Sequence, residues 1–413
     1  MKQVYKNAAV FRAGRFLSFS PFVFEGRGED VSHLSSDFVS ELKCIVVPGF
    51  IDVHVHFREP GFSYKETIAQ GSRAAARGGY TAVCTMPNLN PVPDSLPRLK
   101  EQLDIIRRDG KIRVLPYGAI TVGEEGKELS DMEAIAPHVV GFSDDGRGVQ
   151  DEKTMKEAML RAKALGKIIA AHCENKSLIH GGYINECEYQ KKNGHLGISN
   201  ESEWGQIERD LYLAEKTGVK YHVCHVSCAE SVELIRRAKA RGADVSCETA
   251  PHYLLLDDSA LKEDGAYKMN PPLRSKKDRE ALIEALADGT IDMIATDHAP
   301  HTAEEKSRGL KDSPMGITGL ECAFPVLYTG LCKEGIISPE KLISLMSENP
   351  SKRFGIPCEG YAVIDIERKY KINSSDFLSK GKTTPFDGNE VYGKTLLTVW
   401  KGDAVWQDNF QES

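Results

Sequence analysis

Two histidines close an apolar run in "IVVPGFIDVHVHFREPG", residues 45–61: His54 and His56, followed at once by Arg58, Glu59 and a Pro-Gly turn. Strand side chains at i and i+2 share a face. Both imidazoles therefore leave the same end of one strand together, which offers two nitrogen ligands to one metal ion. The pair alone fits almost as well two polar residues leaving a core for water. Other short apolar runs end in the same chemistry: Asp144 and Asp145 in "VVGFSDDG", His172 in "KIIAAHCE", His225 in "KYHVCHVS", and Asp297, His298 and His301 in "IDMIATDHAPH". So many ligand-type residues at the ends of separate runs point to a catalytic metal centre, with two ions expected. Nitrogen and oxygen donors without paired thiolates favour zinc or another borderline divalent ion. Asp144 and Asp145 are neighbours and face opposite ways, so only one of them reaches the metals. His252, in "ETAPHY", is expected to hydrogen-bond behind a ligand rather than to ligate. Cys224 and Cys228 have no second ligand pair at finger spacing, so no structural zinc site is read there.

The elements that must position these residues alternate. Eight β-rich apolar runs begin with "FIDVHVH" and continue through "TAVCTMP" and "IRVLPYGAI" to "IDMIATDHAPH". Between them lie amphipathic segments such as "DEKTMKEAMLRAKALG" and "AESVELIRRAKARG", most of them closed by glycine, the usual stop of a helix. Strands apolar on both faces that alternate with helices pair in parallel through right-handed crossovers. The fold class is therefore α/β: a (β/α)8 TIM-type barrel over residues 48–354, in which active-site residues belong at the C-terminal strand ends. Residues 1–47 and 355–413 show short alternating segments such as "YAVIDIE" and "TLLTVWKGDAVW" and read as one small β-sandwich domain built from both chain ends. A helical pattern, "SPEKLISLMSENPSKRFG", joins the barrel to it. The charged segment "TAEEKSRGLKDSPMG", 302–316, fits a mobile loop over the site and a solvated surface loop equally well.

Bulk properties exclude several classes. The 413 residues are 41% hydrophobic and 27% charged with a net charge of -7, so there is no basic footprint for nucleic acid. No run approaches the ~18 apolar residues of a membrane helix, and the N-terminus has no apolar signal-peptide core. The 10 cysteines are scattered and several lie in strand-like runs, as expected of reduced, buried thiols in a cytoplasmic protein.

"PGFIDVHVHFREPG", "MPNLNPVPDS", "GFSDDGRGVQD", "AHCEN", "NPPLR", "ATDHAPH" and the tail motif "TPFDG" resemble, in order, the motifs of the amidohydrolase superfamily and, within it, of the bacterial class I dihydroorotases. The resemblance spans the whole barrel. It implies that His54 and His56 bind one zinc ion and His172 and His225 a second, that Asp145 bridges them, and that Asp297 completes the first site. Many relatives bridge their metals with a carboxylated lysine; "VVGFSDDGRG" holds no lysine, which counts against the allantoinase and hydantoinase branches. The implied reaction is the reversible cyclisation of N-carbamoyl-aspartate to dihydroorotate in pyrimidine (UMP) synthesis. A water shared by two ions has its pKa lowered towards ~7, and Asp297 is the implied general acid/base. Arg58, Asn88, Asn270, His301 and the backbone at Met315 and Gly316 are the implied substrate contacts. A homodimer is expected, and association with aspartate carbamoyltransferase is open. A metal-free scaffold homologue is the competing reading, and the full ligand set argues against it.

Overall fold

The first barrel strand, Phe50–Val55, is buried at every position, its apolar residues and the polar Asp52 and His54 alike. The computed structural model describes residues 2–26 and 37–408. The remaining barrel strands are Tyr80–Thr85, Arg113–Pro116 continued by Gly118–Ala119, Gly141–Ser143, Ile168–Ala171, Lys220–Val223, Val245–Thr249 and Met293–Ile294. All neighbouring pairs are parallel. The barrel closes where the His56 amide donates to the His298 carbonyl at 2.8 Å and Val55 bridges to His298. A cluster of strand residues that includes Cys84, Met86, Tyr117, Ala170, Cys224 and Met293 fills the barrel, and a larger one packs strands against helices.

Three strands are shorter than their apolar runs. The third breaks at Tyr117, whose hydroxyl donates to the Val53 carbonyl inside the barrel at 3.1 Å. The seventh stops at Thr249 because Pro251 opens a short helix, Pro251–Leu255, which carries His252. The eighth ends early because the chain turns at Asp297, which has a left-handed backbone with φ 48°. The crossover helices follow the sequence pattern: Ile68–Arg77, Glu152–Ala164, Glu201–Thr217 and Ala229–Ala240. Gly218 ends the third of these with φ 68°, where a side chain would be strained.

Strands from both chain ends meet in one seven-stranded sheet. Lys2–Arg12 pairs with Arg15–Phe16, Ser20–Glu25 and Asp37–Pro48; Gly360–Asp365, Lys394–Trp400 and Asp403–Gln407 follow. The last two strands form a hairpin whose turn residues, Lys401 and Gly402, both have positive φ (53° and 91°), the twist a two-residue hairpin requires. Asp37–Pro48 runs directly into the first barrel strand, and Thr398 donates to the Ala76 carbonyl at 2.7 Å, so the sheet is tied to the barrel. All 10 cysteines are free, and only Cys358 is exposed. No described helix is long and apolar enough to cross a membrane.

Candidate metal centre

His54 and His56 leave the end of the first strand, Asp145 follows the fourth, His172 the fifth, His225 the sixth and Asp297 the eighth. Their side chains converge on the Asp145 carboxylate. Oδ1 lies 3.4 Å from His54 Nε2, 3.9 Å from His172 Nδ1 and 3.8 Å from His225 Nε2; Oδ2 lies 3.5 Å from His56 Nε2. Asp297 Oδ1 is 3.0 Å from His56 Nε2 and 3.5 Å from His54 Nε2, and the facing nitrogens of His172 and His225 are 3.0 Å apart. Donor atoms held about 2.0–2.2 Å from one ion stand about 3–3.5 Å from each other. His54 Nε2 and Asp145 Oδ1 are moreover buried without a hydrogen-bond partner. Orphaned buried acceptors at this spacing fit a bound divalent cation. Two ligand groups share Asp145: His54 and His56 on one side, His172 and His225 on the other.

Outer contacts fix which nitrogen each ring presents. Glu248, from the seventh strand, accepts from His54 Nδ1 at 2.9 Å, which leaves the Nε2 lone pair for the centre. Its other oxygen lies 3.0 Å from His222 Nε2, and His222 Nδ1 lies 2.8 Å from Ser246 Oγ. Burial alone would raise the Glu248 carboxyl, but these two histidine bonds outweigh it and hold it at about 2. Asn88 accepts from His56 Nδ1 at 2.9 Å and donates to Asp145 Oδ2 at 3.2 Å. Against burial, the surrounding imidazoles hold both Asp145 and Asp297 well below the usual carboxylate range, so both are ionised. His225 and Asp297 have φ of 35° and 48°. Left-handed backbone at residues other than glycine costs about 1–3 kcal/mol each and persists where surrounding structure imposes it, commonly at functional sites. Cys224 lies beside His54 and Glu248, but burial pushes its thiol up to about 12, so it offers no thiolate.

A cavity of about 180 Å³ opens on the centre, lined by Arg58, Asn88, Asn270, Met315 and Gly316 as well as by ligands. Glu59, a possible partner for Arg58 in the sequence, instead accepts from the Ile68 amide at 2.9 Å. Among the described residues Arg58 forms no ion pair; its Nε donates to the Pro300 carbonyl at 3.3 Å, and burial brings it down to about 10. Asn270 donates through Nδ2 to Glu174 at 2.7 Å, which leaves its carbonyl oxygen uncommitted. His301 is not on the cavity wall. Its Nδ1 accepts from Lys65 at 3.1 Å and its Nε2 donates to the Met315 carbonyl at 2.8 Å. Burial beside Arg58 and Lys65 pushes it down to about 2, so it is neutral.

The Asp144 carboxylate is engaged away from the Asp145 cluster. It accepts from the Ile120 and Thr121 amides at 2.8 and 3.1 Å and from the Thr121 hydroxyl. His252 is buried with Nε2 unpartnered and its ring against Tyr253. Burial pushes His298 down to about 3, and its Nδ1 accepts from the Gly319 amide at 3.2 Å. Residues that the sequence reading passed over are Glu248, His222 and Glu174. The available signal was periodicity: Ser246 and Glu248 interrupt an apolar strand at i and i+2, and Glu174 stands two residues after His172.

A family model described as Dihydro-orotase-like matches residues 43–231. A dihydroorotase from Fusobacterium nucleatum is 50% identical over 416 residues, covering 98% of each chain. One from Ligilactobacillus salivarius is 46% identical over 425 residues, covering 98% of this chain and 99% of its own. Among solved structures, L-hydantoinase (dihydropyrimidinase) from Arthrobacter aurescens superposes with a TM-score of 0.82 at 26% identity, covering 98% of this chain and 96% of that one. With half of its residues shared along nearly the whole length of such a relative, the chain belongs to the dihydroorotase family.

Proposed function

We propose that the protein catalyses the reversible, zinc-dependent cyclisation of N-carbamoyl-L-aspartate to (S)-dihydroorotate in pyrimidine synthesis. The observation that carries the substrate class is Arg58: a guanidinium in the cavity wall that contacts the Pro300 carbonyl and the His301 ring but forms no ion pair among the described residues. Such a cation needs an anionic ligand, and its planar fork matches a carboxylate in two parallel bonds. The family supplies the ring chemistry.

His54, His56 and Asp297 would hold one zinc ion, and His172 and His225 a second, with Asp145 shared between them. When bound, the ions would polarise the ring carbonyl and lower the pKa of the attacking water. Glu248 and Asn88 orient the histidines on the first side. Asp297, ionised in the pocket, is the proton carrier. In hydrolysis it takes the proton of the attacking water and delivers it to the departing ring nitrogen. In cyclisation the same carboxylate takes a proton from the carbamoyl nitrogen and returns it to the departing hydroxyl. Arg58 binds the substrate carboxylate, Asn270 accepts through its free oxygen, and the Met315–Gly316 backbone meets the ring edge. His301 reaches the carboxylate by exchanging its bond to the Met315 carbonyl.

The test is turnover of dihydroorotate against allantoin and hydantoin, with metal content measured on the same sample. Chelator-sensitive hydrolysis of dihydroorotate alone, with zinc bound, is the expected result; turnover of the other rings without dihydroorotate overturns the assignment. We further infer a cytoplasmic homodimer, with residues 1–47 and 355–413 as a unit beside the 48–354 barrel. Sedimentation alone and with aspartate carbamoyltransferase tests the dimer and that association.

A further inference from the structure

The segment after the eighth strand exposes Ala303, Glu304, Ser307, Arg308, Lys311 and Asp312 to solvent but is anchored by buried residues between them. It forms two short helices, Ala303–Lys306 and Gly309–Asp312, and the first begins in a reciprocal cap between Thr302 and Glu305. Leu310 is fully buried in a satellite apolar cluster with Tyr183, Ile184 and Leu261, against which Met315 also packs. The Leu310 amide donates to Glu263 at 2.8 Å, and the Lys268 ammonium donates to the Lys311 carbonyl at 2.8 Å.

At the centre of this segment lies Lys306, only 4% exposed, whose Nζ forms no ion pair among the described residues. It donates instead to two main-chain carbonyls, Lys268 at 3.1 Å and Pro314 at 2.9 Å. Burial and the nearby Lys268 ammonium bring it down to about 7, so an interior lysine is retained here against an electrostatic cost. The identity of its acceptors explains what it holds. Lys268 precedes Asn270 by two residues, and its carbonyl also accepts from the Gly316 amide at 3.1 Å. Pro314 immediately precedes Met315. Lys306 Nζ, the Lys268 carbonyl, the Gly316 amide and the Pro314 carbonyl thus close a circuit around Met315, whose own carbonyl is bound by His301. Gly316, which the circuit holds, has no room for a side chain on its other side, where a Cβ would stand 2.7 Å from Ala299 atoms.

The geometry points to Lys306 as a positioning residue: through two main-chain carbonyls it sets the cavity wall formed by Met315 and Gly316 against the Asn270 segment, and so sets substrate affinity from outside the cavity. This rests on the reaction proposed above. Its effect belongs to binding in ground and transition state alike, which appears in KM and leaves kcat in place. Loss of two hydrogen bonds predicts about a tenfold rise in KM for Lys306→Met, with kcat within about threefold of wild type.

The experiment measures kcat and KM for dihydroorotate in Lys306→Met and, by mass spectrometry, deuterium uptake over 314–318. The expected result is the KM rise together with faster exchange at Gly316. Wild-type KM and unchanged exchange in a folded, metal-loaded variant overturn the inference, even if its thermal midpoint falls. If Lys306→Met does not fold, Glu263→Ala decides, because it releases the same segment at the Leu310 amide and does not line the cavity. There the expected KM rise is about threefold, and no change overturns the inference. Exchange requires no turnover, so a wild-type protein inactive on dihydroorotate would refute the reaction while the positioning role is still read at Gly316.

Discussion

Glu248→Gln tests the reasoning most directly, because it changes one buried atom that touches no substrate. The carboxylate accepts from His54 Nδ1 at 2.9 Å with one oxygen and faces His222 Nε2 at 3.0 Å with the other. Glutamine keeps the shape but offers one acceptor and one NH2 group. His222 can adapt, because its Nδ1 faces the Ser246 hydroxyl at 2.8 Å, which either donates or accepts. His54 then keeps Nε2 free for the metal but loses a charge-assisted bond in favour of a neutral one. That difference is about 1–2 kcal/mol, or roughly five- to thirtyfold in metal affinity. It overlaps the tenfold-or-greater losses typical of outer contacts to metal ligands. The opposite amide orientation would move the His54 proton to Nε2 and cost more. The assay is competition for zinc against a chromophoric chelator near neutral pH, with circular dichroism to verify folding. A folded variant whose zinc dissociation constant stays within about twofold of wild type would refute the claim that Glu248 orients His54.

Asp297→Asn removes the proton carrier and should lower kcat by about 10²–10⁴-fold at metal content matched to wild type; steady-state turnover with metal analysis checks it. Arg58→Lys keeps the charge but loses the planar fork, so KM for dihydroorotate should rise about tenfold or more while zinc content is unchanged, as read in the same assay. Glu66 is fully buried, accepts from Ser379 at 2.6 Å, and is pushed up to about 7 by burial. Its folded form holds a proton that the unfolded chain releases near the ordinary carboxyl value of 4.5, so the stability it contributes is present below that pH and is lost as pH rises to about 7. Glu66→Gln should flatten the thermal midpoint over this window, and an unchanged pH profile would remove Glu66 as the cause.

Much of the barrel was legible because parallel strands covered by helices on the outside must be apolar on both faces. Phe50–Val55 and Tyr80–Thr85 are buried at every position, with mostly apolar residues on both faces. The proposed ligands stood out for the complementary reason: His54, His172 and Asp297 are polar groups placed where an apolar run ends, which a packed core does not otherwise favour. The resemblance narrowed Asp144 and Asp145 to the second, and the side-chain contacts show why. The first is consumed by the Ile120 and Thr121 amides of the neighbouring strand end, partners 24 and 23 residues away in sequence. Tertiary structure alone decided the outer contacts. Glu248 meets His54 across 194 residues, so no local spacing announces that one fixes the proton of the other. His301 showed its type and place in the chain but not its partner, because it is the fold of the 302–314 segment that brings the Met315 carbonyl to it. That segment reads as charged and loop-like, and its interior lysine is invisible in composition. Buried, the Lys306 ammonium is satisfied by two main-chain carbonyls, groups that every residue carries but that only the fold aims. Side-chain chemistry and periodicity are written locally; which backbone groups and which distant acids complete them is set by packing.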